Sequence, residues 1–300
     1  MARATRSAEI EQVDIRCPGQ YAIPRHMNDP ATNAHPASMT DLTGKRAFVT
    51  GGSRGIGAAI ARRLAEAGAD VAINYHRESE KAESVAQAVR AMGRRALTVA
   101  GDVSNPDSVA AMFRQIAGEW GTLDILVNNA GWEDIHHAIE LPAESFNRAM
   151  GINLGGIFFC SQQAARLMEK SGGGTIINNL SIHDEVPRKG LAHYCAAKAG
   201  AKMLTQCLAL EWAELGIRVN AVSPGAIETD MNREEIESFG RELFNRAIPA
   251  GRVGNVDEIA SIVLFLAGHG SSYITGTTVY ADGGYRLTTI PYDPRPPRNA

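Results

Sequence analysis

A glycine-rich turn, Gly51-Gly52-Ser53-Arg54-Gly55-Ile56-Gly57, follows the apolar run Arg46–Thr50 and leads straight into the alanine-rich segment Ala58–Ala67. A strand, a glycine turn and a helix in that order open a βαβ unit, and the free N–H groups of the helix N-terminus then face whatever anion sits over the turn. Gly51 permits the tight turn, Gly55 lets backbone approach a pyrophosphate, and Gly57 allows the helix to pack close; Ser53, Arg54 and Ile56 complete the face offered to a dinucleotide. The spacing Gly-x-x-x-Gly-x-Gly differs from the more general Gly-x-Gly-x-x-Gly form.

After this turn, short β-branched or apolar runs alternate with longer amphipathic segments, the pattern of a parallel sheet with helical crossovers. Strands are expected at Arg46–Thr50, Asp70–Asn74, Ala96–Ala100, Leu123–Val127, Thr175–Asn179, Arg218–Val222 and Thr277–Tyr280. Helices are expected at Ala58–Ala67, Ser79–Met92, Asp107–Trp120, Phe146–Lys170, His193–Leu215 and Val256–Ala267, several with apolar residues three and four apart. Right-handed crossovers give a doubly wound, seven-stranded parallel sheet of Rossmann type, an α/β fold with helices on both faces and ligands at the carboxyl ends of the strands. Residues 41–286 form the single catalytic domain in this reading. Residues 1–40, punctuated by Pro18, Pro24, Pro30 and Pro36, form a mobile extension, and residues 287–300 a loose tail.

The 30 Lys+Arg against 33 Asp+Glu leave a charge of -3, which offers no basic footprint for nucleic acid or an anionic membrane. The longest apolar runs, such as Ile259–Ala267, fall far short of the roughly 18 residues that span a bilayer. Four scattered cysteines, Cys17, Cys160, Cys195 and Cys207, match neither a zinc pattern nor a dense disulfide framework and fit a reducing, cytoplasmic setting. Glu133, Asp134, His136 and His137 cluster in sequence, but nothing places them on one helix face and no metal site is expected.

Tyr194 and Lys198, four apart on an expected helix, face the same way. A nearby ammonium and an oxidised nicotinamide ring both favour phenolate, so the Tyr194 pKa is expected to fall and the residue to serve as general base or acid. Ser181, ending a strand 13 residues earlier, would hydrogen-bond the substrate oxygen as charge develops on it. Cys195 points about 100 degrees away from Tyr194 on the same helix and is read as packing.

With the glycine turn, Asn128-Asn129-Ala130-Gly131, Asn153, Ser181 and Tyr194-Cys195-Ala196-Ala197-Lys198, the chain resembles a short-chain dehydrogenase/reductase over roughly Leu42 to Tyr285. Within that family Ser181–Pro187, Pro224–Thr229 and Tyr280–Gly284 look most like glucose 1-dehydrogenases, whereas Asn179 and Leu180 stand where that subgroup resembles Met-Ser. The resemblance implies that Lys198 also holds the nicotinamide ribose hydroxyls and that Asn153 positions a water in the proton path to Lys198. It assigns Asp102 to the adenine side and Asn129 to the adenosine ribose region, and Tyr75, Arg77, Val103, Ala130, Gly131, Pro224, Gly225, Ile227 and Thr229 are expected to be cofactor-binding as well. It further implies a homotetramer.

NAD specificity usually needs a carboxylate at the end of the second strand, and Asn74-Tyr75-His76-Arg77 offers none there; Arg54 and Arg77 are placed to meet a 2′-phosphate, so NADP(H) is preferred with NAD(H) tolerated. The substrate is a small alcohol or carbonyl. Polar loops around Trp132-Glu133-Asp134 and His183-Asp184-Glu185 suit a sugar or polyol, while an expected lid over Thr229–Arg252, with Met231, Ile236, Phe239, Leu243 and Phe244, equally suits an apolar ketone or a 3-oxoacyl thioester. A dinucleotide-binding sensor is the alternative of another class, and it has no need of Tyr194, Lys198, Ser181 and Asn153 together.

Overall fold

The computed structural model describes residues 39–229, 236, 238 and 240–288; most of the expected extension over residues 1–40, and the tail beyond residue 288, lie outside them. The elements run β1 (Arg46–Val49), α1 (Gly55–Glu66), β2 (Asp70–Tyr75), α2 (Ser79–Ala91), β3 (Ala96–Ala100), α3 (Pro106–Trp120), β4 (Ile125–Asn128), α4 (Ala143–Met150), α5 (Gly156–Lys170), β5 (Gly174–Asn179), α6 (Ala192–Trp212), β6 (Ile217–Pro224), α7 (Arg241–Ala247), α8 (Val256–Ala267) and β7 (Thr278–Ala281). The strands form one sheet in the order β3-β2-β1-β4-β5-β6-β7, every neighbouring pair parallel.

The expected α/β class and seven-stranded parallel sheet are what the chain adopts. Such a sheet is buried on both faces, so its strands read as near-continuous apolar runs. In β1, Val49 packs with Ile60 and Leu64 of α1 and Ile259 and Val263 of α8, whereas Phe48 turns to the opposite layer of Met112 and Ile116 of α3 and Met168 of α5. The strand order reverses between β1 and β4, and there the carboxyl ends diverge to open a crevice.

Local chemistry moves several boundaries. The helix expected over Phe146–Lys170 starts at Ala143, behind Pro142, and passes through a π-helical turn at Gly151–Gly155 that separates α4 from α5. Such wide turns concentrate at functional sites, and Asn153 lies in this one. Helix α3 is capped by Asn105, whose Oδ1 accepts from Asp107 N (2.9 Å) and Ser108 N (3.1 Å), with Pro106 in the first position; Ser104 turns back to Asp102. Within the expected lid, Ile236 is buried and α7 forms, while Met231, Phe239 and the side chains of Leu243 and Phe244 lie outside the described residues.

Candidate active site

The crevice is a cleft of about 1360 Å³, beyond the roughly 300–1,000 Å³ of an ordinary small-molecule pocket and in keeping with a dinucleotide and a substrate together. Its floor is the glycine turn. Gly51 (φ 59°) and Gly55 (φ 52°) occupy the left-handed region that disfavours side chains, and a Cβ on Gly51 would sit 2.9 Å from Ala130 Cα. Gly57 is packed more tightly still. A Cβ there would lie 2.4 Å from Gly51 O and 2.5 Å from Asn129 Nδ2, so its smallness serves the turn itself before it serves helix-on-sheet packing.

The turn is fixed from three strands. Gly51 N donates to Asn74 Oδ1 (3.0 Å), and Asn74, buried at the end of β2, spends its amide on Val99 O and Gly101 O (both 3.1 Å). Thr50 Oγ1 accepts from Asn129 N (2.9 Å) and Ala130 N (3.0 Å), while Asn129 Nδ2 donates to Thr50 O (3.0 Å) and Gly51 O (3.1 Å). Asn128 lies behind this surface and links Ser161 to Asn178 (2.9 and 2.8 Å), so it braces β4 against α5 and β5. Asn74 was expected only as a position lacking a carboxylate; its Asn chemistry is used to hold the turn.

Arg54, Tyr75, His76, Arg77 and Glu78 line one end of the cleft. Glu78, which sequence reasoning left out, brings a carboxylate to this end, paired to Arg54 at 3.5 Å and Lys81 at 3.1 Å. Asp102 lies close by. Burial alone would raise its carboxyl, but Ser104 N (2.9 Å) and Oγ (2.7 Å), with the charges of His76 and Arg148, outweigh burial and hold it below the usual range.

Ser181, Tyr194 and Lys198 meet midway along the cleft. Ser181 leaves the end of β5, and its Oγ accepts from His183 N (3.2 Å), leaving its own proton for Tyr194 or a substrate oxygen. Lys198 Nζ lies 5.5 Å from the Tyr194 ring centre and donates to Asn179 O at 2.9 Å. Burial pushes Lys198 down to about 8, against the opposing pull of Glu133 and Asp184. At Tyr194 burial first, then the Glu133 carboxylate, push the pKa up, and the hydrogen bond from Ser181 only partly offsets them. Reaching phenolate then depends on the positive nicotinamide as well as on Lys198.

The other wall is made by the loops after β4 and β5 and by the turn after β7, among them Glu133, Glu185, Arg188 and Arg286. Asp184 is buried against Ser223 Oγ and Tyr280 Oη, and burial raises its pKa. Asn153 stands apart: it is fully buried, does not line the cleft, and spends its amide on Trp132 O (2.7 Å) and Ala149 O (3.1 Å) while accepting from Trp132 N (3.2 Å). Every other sequence-predicted site residue lines the cleft, namely Gly51, Ser53, Arg54, Gly55, Ile56 and Gly57 of the turn, Tyr75, Arg77, Asp102 and Val103 after β2 and β3, Asn129–Gly131 after β4, Ser181, Tyr194 and Lys198, and Pro224, Gly225, Ile227 and Thr229 after β6. Of the acidic and histidine cluster after β4, Asp134 is used internally, accepting from Ser145, His136 and His193, while Glu133 lines the cleft.

The cleft fits a nicotinamide dinucleotide on its own features. Side-chain-free backbone lies at Gly51, Gly55 and Gly57 over the N-terminus of α1, and the buried Asn179 Oδ1 has no partner among the described residues.

Residues 51–286 match the family model described as enoyl-(acyl carrier protein) reductase. 3beta-hydroxysteroid dehydrogenase 1 of Eggerthella lenta is 40% identical over 249 residues, 82% of this chain and 95% of that protein. Glucose 1-dehydrogenase 2 of Bacillus subtilis is 36% identical over 249 residues, 82% of this chain and 96% of that protein. The structure of a gluconate 5-dehydrogenase from Burkholderia cenocepacia, solved with NADP and tartrate, superposes with a TM-score of 0.81 at 37% identity, covering 85% of this chain and 100% of that one. Fold, cleft and relatives together define an NAD(P)-dependent oxidoreductase acting on CH-OH groups. The chain belongs to the short-chain dehydrogenase/reductase family. Among the described residues no helix is long and apolar enough to cross a membrane.

Proposed function

We propose that the chain oxidises a cyclic sugar or a related polyhydroxy alcohol to its lactone or ketone and prefers NADP+ as oxidant. The observation that carries the substrate class is the wall facing Tyr194, where Trp132, Glu133, His183, Glu185, Arg188 and Arg286 supply acceptors, donors and an indole ring within one cleft. Several hydroxyls on one substrate can add hydrogen bonds to such a wall, whereas an acyl chain offers its donors and acceptors nothing beyond one carbonyl group. The likeness to a glucose 1-dehydrogenase and a gluconate 5-dehydrogenase supports the same class.

In this reading Ser181 donates to the substrate oxygen while Tyr194 takes the alcohol proton, and the C–H bond breaks with its electron pair. The bound nicotinamide supplies the acceptor for that hydride, NADP+ becoming NADPH. Lys198 holds the ribose hydroxyls and keeps positive charge beside the phenol. Asn153 contributes by fixing the backbone of Trp132 and, as the family's pattern has it, by ordering water toward Lys198. A panel of aldoses, polyols, hydrophobic ketones, hydroxysteroids and 3-oxoacyl thioesters, followed by nicotinamide absorbance with both cofactors, tests the assignment. Aldose or polyol oxidation at the highest kcat/KM is the expected result. Activity confined to thioesters, steroids or apolar ketones would overturn the substrate class while leaving the oxidoreductase intact.

The NADP preference rests on Arg54 and Arg77 at the far end of the cleft, with His76 adding a further donor and Glu78 already shared between Arg54 and Lys81. Arg54→Ala should raise KM for NADP+ by about tenfold while changing that for NAD+ by less than about twofold, because a guanidinium-to-phosphate hydrogen bond contributes about 1.5–3 kcal/mol and NAD+ has no phosphate there. Equal effects on the two cofactors would refute the preference.

A homotetramer completes the proposal. Phe146, Met203 and Leu210 leave an apolar face exposed on α4 and α6, and Phe265 and Tyr273 leave another beside β7. Cys160, Cys195 and Cys207 are free thiols, in keeping with a reducing cytoplasm.

A further inference from the structure

The first turn of α6 holds a buried imidazole–carboxylate contact that the reaction above does not use. His193 immediately precedes Tyr194, is completely buried, and places its Nε2 2.8 Å from Asp134 Oδ1 on the loop after β4. Asp134 also accepts from Ser145 Oγ of α4 (2.7 Å) and bonds His136 Nε2 (2.9 Å). Burial would raise this carboxyl, but the three partners outweigh it and hold Asp134 below the usual range, so it is an acceptor and His193 Nε2 carries the proton. His193 Nδ1 is buried with no partner among the described residues. An apolar residue would fill that space without leaving a bare nitrogen, so the position is spent on the contact it makes.

That contact reaches the chemistry through the residue between two fixed neighbours. Trp132 has its N and O both bonded to Asn153, its ring 4.3 Å beneath the Arg148 guanidinium, and its ring centre 6.4 Å from that of His193 in an edge-to-face arrangement. Asp134 is held as just described. Glu133 lies between them and lines the cleft, and its carboxylate acts on both Tyr194 and Lys198. The charged groups acting on Tyr194 are Glu133 from the loop after β4, Asp184 from the turn after β5, and Cys195 on its own helix, with Lys198 over its ring; those acting on Lys198 are Glu133 and Asp184.

We propose that His193 is a positioning residue that acts through Asp134 to hold the Glu133 carboxylate against the Tyr194–Lys198 pair. The proposal rests on the reading of Tyr194 as the proton-transfer group. Glu133 favours the protonated form of both groups, so releasing it lets Tyr194 ionise more easily, and the acid limb of the oxidative kcat/KM profile moves to lower pH.

The test uses the full chain with NADP+ and the alcohol giving the highest kcat/KM in the panel, comparing His193→Phe, His193→Gln, Glu133→Gln and the double variant His193→Phe/Glu133→Gln across pH. His193→Phe and Glu133→Gln should each move the acid limb down by about half a pH unit or more, a difference of the size expected for one nearby charge. NADPH affinity, read by fluorescence, should stay within about twofold. His193→Gln, which keeps an amide donor at that reach, should restore the profile, and the double variant should shift no further than Glu133→Gln alone. If His193→Phe does not fold, Asp134→Asn makes the same comparison with the imidazole packing intact. An unmoved acid limb, or shifts that add in the double variant, would overturn the proposal. Tyr194→Phe measured alongside separates the two readings: high activity in that variant removes the proton-transfer role itself, whereas an inactive Tyr194→Phe beside an unmoved His193→Phe removes only the clamp.

Discussion

Tyr194→Phe should bind NADPH within about twofold of the parent yet lose turnover by two orders of magnitude or more, the range that positioned acid–base groups contribute. One hundredfold corresponds to about 2.7 kcal/mol of barrier. The substitution removes a single oxygen and leaves the ring in place, 6.4 Å from His183 and 5.5 Å from the Lys198 ammonium, so the cofactor wall keeps its shape. Ser181 keeps its bond from His183 N and still meets the substrate oxygen, so substrate binding should change little and the loss should fall on kcat. The pH dependence follows from the sign of the reaction. Oxidation needs the phenolate, so the oxidative rate of the parent rises with pH, and the upward push from burial and Glu133 places that rise on the alkaline side. Carbonyl reduction needs the phenol and runs the opposite way. In Tyr194→Phe the remaining oxidative rate should lose that rise. Near-parental turnover, or an unchanged pH profile, would remove Tyr194 from the mechanism.

The sequence carried the parts of this arrangement that depend on near neighbours. The glycine turn, the apolar strands and the Tyr194–Lys198 spacing are local patterns, and the structure places them on one sheet and along one cleft. What did not show was set by contacts distant along the chain. Asn74 bonds Gly51 across 23 positions, and Asp134 bonds His193 across 59, so neither side chain's partner was readable from its neighbourhood. The split of α4 from α5 was hidden because a π-helical turn keeps the helical run of apolar residues while inserting one extra residue. The upward push on Tyr194 was hidden for a related reason: Lys198 is a neighbour on the helix, but the burial and the Glu133 charge come from the fold. Two signals were available and unused. Asn105-Pro106 is a helix start just ahead of the expected Asp107, and Glu78 stood only four positions past Asn74.

Gly57→Ala should weaken NADPH binding by at least about tenfold, or about 1.4 kcal/mol, and lower thermal stability as well. A Cβ at this position would lie 2.4 Å from Gly51 O and 2.5 Å from Asn129 Nδ2, both far inside contact distance, and neither atom is the free end of a flexible chain. Asn129 Nδ2 already donates to Thr50 O and Gly51 O, and its Oδ1 accepts from Asn179 (2.9 Å), so it cannot swing aside without breaking those bonds. The Gly51 carbonyl cannot shift without turning the peptide that follows it, and Gly51 itself is wedged against Ala130. Overpacking of a well-packed site costs about 1–3 kcal/mol, which for a domain of this size lowers Tm by roughly 2–12 °C. The cost is concentrated where the backbone N–H groups of the α1 N-terminus must converge on an anion, so affinity should suffer beyond what the change in stability alone would produce. Gly118→Ala is the matched control. Gly118 lies exposed in α3, where an added Cβ meets nothing within 4 Å, so alanine there should raise helix stability by up to about 1 kcal/mol and leave NADPH affinity unchanged. Fluorescence titration and thermal unfolding of both variants decide the matter: an affinity loss in Gly57→Ala no larger than in Gly118→Ala would show that the glycine turn does not hold the dinucleotide.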